Sequence, residues 1–307
     1  MTGRERRAAD YVLAAAAPVT WGTTYFVTTN FLPPGYPLMA ALSRALPAGL
    51  LLLAIARRLP SGVWWYRILV LGILNFSLFF PMLYAAAYRL PGGVAATVVS
   101  TQPLLVVLLS RWLLGGAIST RAVATALAGL GGVAMTVLTP AAYLDAIGVV
   151  AGLVAAASMA TGVVLSRRWS PEVPLLTFTA LQLTAGGLVL LPVAVLFEWP
   201  MPALNGANLA GFAYLSLVGC ALTYILWFQG ISKLETTSVS RLALLSPVTA
   251  TVIGVLLAGE SLGSLQMAGV AIVLVSMIVS GGGRSPTRPD ATVTAAGPVR
   301  GEELRTG

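Results

Sequence analysis

The chain reads as an all-α membrane protein of ten transmembrane helices, arranged as two inverted five-helix repeats. Three observations predict this. Only 9% of its 307 residues are charged and 57% are hydrophobic, with a mean hydropathy of +0.88. A water-soluble domain carries about 25% charged residues, so lipid must be the solvent for most of this surface. Ten apolar runs of about the 20 residues that cross a hydrocarbon core stand between charged or turn-rich breaks. The basic residues fall in alternate breaks, as topology in a bilayer requires.

In order, the runs are 11–31, 38–57, 68–88, 93–112, 121–139, 147–165, 175–196, 209–229, 237–257 and 264–281. The first follows Arg4, Arg6 and Arg7 and continues through Trp21 to Phe31, past the length of a signal-peptide core. Pro33-Pro34-Gly35 closes it, and Arg57-Arg58 closes the second. The third and fourth are parted only by Arg89-Leu90-Pro91-Gly92-Gly93. Arg121 opens the fifth, Asp145 precedes the sixth, Arg167-Arg168 follow it, and Lys233 follows the eighth. With the amino terminus in the cytoplasm, fifteen of the 18 Lys and Arg residues lie inside and only Arg89 lies outside. Arg44 and Arg241 fall within spans. Both termini are therefore expected in the cytoplasm of a multi-pass plasma-membrane protein. The polar, Pro/Gly-rich residues 282–307 cannot bury a core and are expected to be a disordered cytoplasmic tail.

Ten spans divide as five and five, and an odd repeat length inverts the second copy. The predicted halves are 1–140 and 141–281. A shift of 144 residues lays Lys233-Leu234 on Arg89-Leu90, Pro247 on Pro103 and Gly259 on Gly115. Pro103 and Pro247 are the candidate hinges, since a proline inside a span loosens the backbone ladder. Pro18, Pro47, Pro81 and Pro192 also lie within spans. Gly148-x-x-x-Gly152 reads as a close helix contact.

Several motifs carry a family resemblance. In the first half they are Trp21-Gly22-Thr23-Thr24-Tyr25-Phe26-Val27, Ser43-Arg44-Ala45-Leu46-Pro47-Ala48-Gly49 and Arg89-Leu90. In the second they are Leu165-Ser166-Arg167-Arg168, Leu244-Leu245-Ser246-Pro247 and Leu257-Ala258-Gly259-Glu260. Together they resemble the EamA family of the drug/metabolite transporter superfamily over residues 11–281. Phe31-Leu32-Pro33-Pro34-Gly35-Tyr36-Pro37 with Arg44-Ala45-Leu46-Pro47 resembles the blue-pigment (indigoidine) exporter-like branch. The resemblance implies a central cavity and export of a small metabolite. Ser158 departs from it, standing where many members carry an aromatic residue.

The candidate substrate-binding residues are Trp21, Tyr25, Arg44, Asn75, Tyr84, Gln102, Tyr224 and Trp227. A charge near a helix centre costs about 2.5–3.5 kcal/mol on insertion scales. Arg44 lies roughly 9 Å deep, six residues past the outer end of its run. It either attracts an anionic or carbonyl-bearing substrate or pairs with carbonyls freed by Pro47 or a neighbouring helix. Arg241 is placed to snorkel. Asn75, Gln102, Gln182 and Ser246 could face a cavity or bond between helices, typically worth about 0.6 kcal/mol. The five aromatics could stack on a planar substrate, although Tyr84 and Trp227 also suit a core. Trp64, Trp65 and Tyr66 read as an interfacial belt.

The chain has no histidine, which removes the usual proton relay and histidine-containing metal sites. No Walker-type glycine loop appears, no cofactor is expected, and scattered basic residues give no nucleic-acid stripe. Enzyme chemistry is not supported. The single Cys220 forms no internal disulfide and reads as a small hydrophobe. No carboxylate lies mid-span, Glu260 being the nearest candidate for proton coupling, with a helix-end contact as its other reading. Facilitated export of a planar neutral or zwitterionic metabolite is the leading expectation. Amino-acid or multidrug export, and a channel or scramblase, are the alternatives.

Overall fold

The computed structural model describes residues 3–114, 120–137, 145–169, 173–234, 242–243 and 245–281. Arg241, Gly115 and the tail 282–307 lie outside the described residues. Among those described, every regular element is helical.

Helices α1 (Gly3–Gly22) and α2 (Thr24–Phe31) are parted by one turn residue, Thr23. Then come α3 (Pro37–Ala56), α4 (Trp64–Gly72), a π-helical segment (Ile73–Leu78) and α5 (Phe79–Arg89). Next are α6 (Gly92–Val99), α7 (Gln102–Leu114), α8 (Thr120–Val137), α9 (Ala146–Trp169) and α10 (Leu175–Glu198). Helix α11 (Gly206–Ala213) runs through a second π-helical segment (Tyr214–Leu222) into α12 (Thr223–Lys233). Helices α13 (Leu245–Leu256) and α14 (Ser264–Gly281) end the described fold.

Among the described residues, six rods are long and apolar enough to cross a membrane: Pro37–Ala56, Trp64–Arg89, Gly92–Ser110, Ala146–Trp169, Leu175–Glu198 and Gly206–Gln229. A 24-residue helix such as α9 spans roughly 36 Å, enough for a core of about 30 Å. Val123–Met135, Leu245–Leu256 and Ser264–Ser276 are apolar but shorter.

The breaks follow from local chemistry. Gly35 takes φ +86° in the turn before α3, and Pro37 opens that helix, where no intrahelical donor is needed. Leu90 is extended before Pro91, which separates α5 from α6. Gly259 has φ +66° just past α13, the conformation a helix-ending glycine supplies.

Pro18, Pro47 and Pro192 lie inside α1, α3 and α10 as expected, but the two candidate hinges lie in first turns. Pro103 is the second residue of α7 and Pro247 the third of α13. In a first turn the missing N–H has no intrahelical acceptor to lose. Ser100 and Thr101 form the break before α7, and Leu104 and Leu105 donate to the Thr101 carbonyl at 2.9 and 3.2 Å. Pro81 does interrupt a ladder. Its ring would crowd the carbonyl four residues back, at Ser77, and the wider π turn at 73–78 relieves that.

Helix α3 packs on α10, α8 on α14 and α6 on α13. Helix α5 packs on α9 as α12 packs on α1, and α7 packs on α9 as α13 packs on α1. Small residues permit these approaches. A Cβ on Gly49 would lie 2.6 Å from the Thr184 nitrogen, and one on Gly187 2.8 Å from Leu46 Cα. Gly148 and Gly152 pack closely as expected, against Arg89 with Leu90 and against Val98. At the start of α4, Trp65 and Tyr66 are exposed as an interfacial belt would be, but Trp64 turns inward against Phe178.

Three carboxylates, Glu198, Glu260 and Asp145, sit at helix N-termini, where unpaired N–H groups and the helix dipole favour them. Glu198 accepts from the Leu38 and Met39 N–H groups of α3, at 2.9 and 2.7 Å. Glu260 accepts from Gly92 N–H of α6 at 2.7 Å, so the helix-end reading describes it. Asp145 accepts from Ile147 and Gly148 N–H of α9 and pairs with Arg89. Asn205 and Asn208 form a capping box on α11. The Arg89 guanidinium, then the two N–H groups, hold the Asp145 carboxyl below its ordinary range. A depressed folded-state value means stabilisation that is full above the unfolded value and lost as pH falls through the folded one. Acidification through the carboxylate range is expected to lower the unfolding temperature less in Asp145→Asn than in the parent, which thermal unfolding in detergent checks.

Candidate functional site

Arg44 lies seven residues past Pro37 in α3, about 10 Å along the helix, and is 4% exposed. Its Nη1 donates to Thr24 Oγ1 at 3.3 Å and, at a long 3.5 Å, to the Tyr84 hydroxyl. Its Nη2 donates to the Gly219 carbonyl at 2.9 Å. That carbonyl belongs to the second π-helical segment, whose widened turn re-aims backbone groups. The guanidinium carbon stands 4.7 Å from the Phe80 ring centroid. One side chain thus ties together α2, α3, α5 and the second π segment.

An aromatic ladder leads to this arginine. Trp227 meets Trp21 edge-on at 5.4 Å, and Trp21 meets Tyr224 at 5.8 Å. Tyr224 meets Phe76 at 6.3 Å and Phe76 meets Phe80 at 5.4 Å, both T-shaped. Phe80 then lies against Arg44. Trp21 Nε1 donates to Thr223 Oγ1 at 3.1 Å, fixing the ring between α1 and α12. Trp21, Tyr224 and Trp227 are half-buried, whereas Tyr25 and Tyr84 are buried. The ladder is therefore more accessible at its Trp21–Trp227 end.

Of the eight candidate residues, Arg44 bonds Tyr84, and Trp21, Tyr224 and Trp227 form the outer rungs. Tyr25 packs in the same buried core. Asn75 does not join them. Its Nδ2 donates to Gln182 Oε1 at 2.7 Å while its side chain lies against Gly162, where a Cβ would fall 1.8 Å from Oδ1. Ser77 donates to the Gly186 carbonyl at 2.8 Å. Ser158 donates to the Leu74 carbonyl at 2.6 Å, so this departure from the family pattern serves the first π segment. These bonds fasten that segment to α9 and α10. Gln102 is half-buried at the start of α7, which packs on α9 and α8.

The candidate residues do not include Thr24, Phe76, Phe80 or Gly219. Phe76, Phe80 and Tyr84 recur every fourth residue, one helix face, and that spacing was visible in the sequence. The Gly219 carbonyl had no such signal. A separate lateral groove of 510 Å³ lies between α2, α11 and α13, lined by Phe26, Val27, Phe31, Tyr214, Ile253 and Leu257 among others. Among the described residues no cluster of His, Cys, Asp or Glu could hold a metal ion.

The model of the EamA-like transporter family matches residues 9–138 and again 146–282. The chain belongs to this family. Its EamA relatives include Protein PecM of Dickeya dadantii, 46% identical over 266 residues, which cover 86% of this chain and 89% of that one. The uncharacterized inner membrane transporter YedA of Escherichia coli is 29% identical over 85% of this chain and 87% of its own length. A protein of known crystal structure shares the fold, with a TM-score of 0.61 at 21% identity over 89% of this chain and 96% of that one. Each EamA match contains one π-helical segment, Ile73–Leu78 in the first and Tyr214–Leu222 in the second.

Proposed function

We propose that this EamA protein is a plasma-membrane carrier that exports a small, planar metabolite by alternating access. The observation that carries the reading is the aromatic ladder that begins at half-buried Trp21 and Trp227 and ends on buried Arg44. Planar cargo suits successive ring faces and edges, and a buried guanidinium offers a directional end point. Arg44, Tyr84, Trp21, Tyr25, Tyr224 and Trp227 are the proposed cargo contacts. Asn75 is proposed to act indirectly, by holding the first π segment, and Gln102 through the restart of α7.

Ten spans in two inverted halves are part of the same reading. The helix pairings support it, because exchanging the two halves maps α5–α9 onto α12–α1 and leaves α3–α10 as its own image. The π segments support it too: Ile73–Leu78 moved by 144 residues falls inside Tyr214–Leu222. Pro103 and Pro247 keep that same spacing and both open restarted helices. Interruptions at matching places in two halves are where carriers bind and bend, so both prolines are proposed as hinges. The excess of Lys and Arg in alternate loops supports cytoplasmic termini, and YedA's description as an inner membrane transporter supports the location.

Counterflow in proteoliposomes holding purified protein tests the reading. Saturable exchange stimulated by cargo on the far side is expected from a carrier, and flux without counterflow stimulation would point to a channel. Glu260→Gln is expected to leave exchange and its pH profile unchanged, because Glu260 caps α6. Its cost is expected in stability, at about 1 kcal/mol. Accumulation driven by a pH gradient and abolished by this substitution would contradict that assignment.

A further inference from the structure

Arg44 is short of acceptors. A guanidinium has five N–H donors and nothing else to offer. Nη1 makes two bonds and Nη2 makes one, while Nε, fully buried, makes none. Nε–H and one Nη2 hydrogen are therefore open. Those two nitrogens bound the edge of a guanidinium that takes a carboxylate through two parallel bonds. Every present partner is neutral: two hydroxyls, a carbonyl, the neighbouring Cys220 thiol and the face of Phe80. No carboxylate among the described residues is within ion-pair reach of Arg44, and Asp145, Glu198 and Glu260 are engaged at the starts of α9, α3 and α6. A cation taken out of water normally keeps a counter-charge.

The geometry points to the cargo as that counter-charge: an organic anion whose carboxylate or enolate-type oxygens meet Nε and Nη2 while its ring lies along Phe80 and Phe76. This rests on the carrier reading and narrows its planar metabolite to an anionic one, in place of the neutral or zwitterionic cargo expected from the sequence. It also accounts for the missing mid-span carboxylate. An interior-negative potential drives an anion outward by about tenfold for every 59 mV, so export of a monoanion needs no proton-coupling acid. The resting charge of Arg44 would be neutralised only while cargo is bound, which favours the loaded carrier for crossing.

The test compares a planar acid with its neutral twin, 2-naphthoate against 2-naphthamide, in proteoliposomes of wild-type protein with flux through empty liposomes subtracted. Saturable naphthoate exchange is expected to exceed that of naphthamide by about tenfold or more. Net naphthoate efflux should rise when a potassium diffusion potential makes the lumen negative. Arg44→Gln should bring the acid-to-amide ratio close to one, and Arg44→Lys, which keeps the charge, should retain part of it. Equal exchange of acid and amide by the wild type overturns the inference, as does an unchanged ratio in Arg44→Gln. Exchange of neutral or cationic dyes with no carboxylate exchanged overturns it and leaves the carrier reading standing. No exchange of any compound by folded protein overturns both.

Discussion

Gly49→Val is expected to leave little folded protein. The new Cβ would sit 2.6 Å from the Thr184 nitrogen and 2.9 Å from the Leu183 carbonyl carbon. Both are helix backbone, so relief requires α3 to move away from α10. Those two helices pack together extensively and hold the core around Ala45, Ala48 and Leu183. Overpacking a tight contact costs about 1–3 kcal/mol when side chains can adjust, and here none can, so about 3 kcal/mol or more is expected. Against a total stability of about 5–15 kcal/mol, that is a large loss. The readout is the yield of monodisperse protein in detergent and its unfolding temperature. Gly131→Ala is the control: nothing lies within 4 Å of its added Cβ, and helix propensity favours alanine. Normal folding of Gly49→Val would mean that α3 and α10 do not approach this closely.

Phe80→Leu is expected to weaken cargo binding by about ten- to thirtyfold while the protein stays folded. Leucine fills much of the buried space but has no π face for the guanidinium 4.7 Å away. A desolvated cation–π contact is worth about 2 kcal/mol, a factor of about thirty in affinity. The Arg44–Tyr84 bond is long, at 3.5 Å, so Tyr84→Phe should cost far less. Concentration dependence of counterflow separates the two. A larger effect from Tyr84→Phe than from Phe80→Leu would place the hydroxyl, and not the ring, as what positions Arg44.

The fold was largely legible because membrane helices are written in composition and length. The run 264–281 coincides with α14, and Leu90-Pro91 does separate α5 from α6. Proline's effect was harder to place, since the same residue kinks a helix interior and is harmless in a first turn. Pro103 and Pro247 depend on where helices restart, which follows from packing. The site was legible in part. Arg44 and the Trp21 and Tyr224 rungs stand out as costly or large groups at membrane depth. Phe76 and Phe80 look like any apolar residues until a neighbouring helix brings Tyr224 and Arg44 against them. Asn75 stands out by polarity alone, and its contacts with Gln182 and Gly162 depend on packing that polarity does not reveal.

The native chain carries its own reporter for the alternating access proposed above. Cys220, the single cysteine, is fully buried and next in sequence to Gly219, whose carbonyl accepts from Arg44. The most direct measurement is labelling of Cys220 by a membrane-impermeant, anionic thiol reagent in right-side-out and inside-out vesicles active in counterflow. Slow labelling from each side in turn, suppressed by exchanged cargo, is expected if the Arg44 site opens alternately to the two faces. Protection of Cys220 from both sides in the absence of cargo, or labelling indifferent to cargo, would contradict a transport path through Arg44.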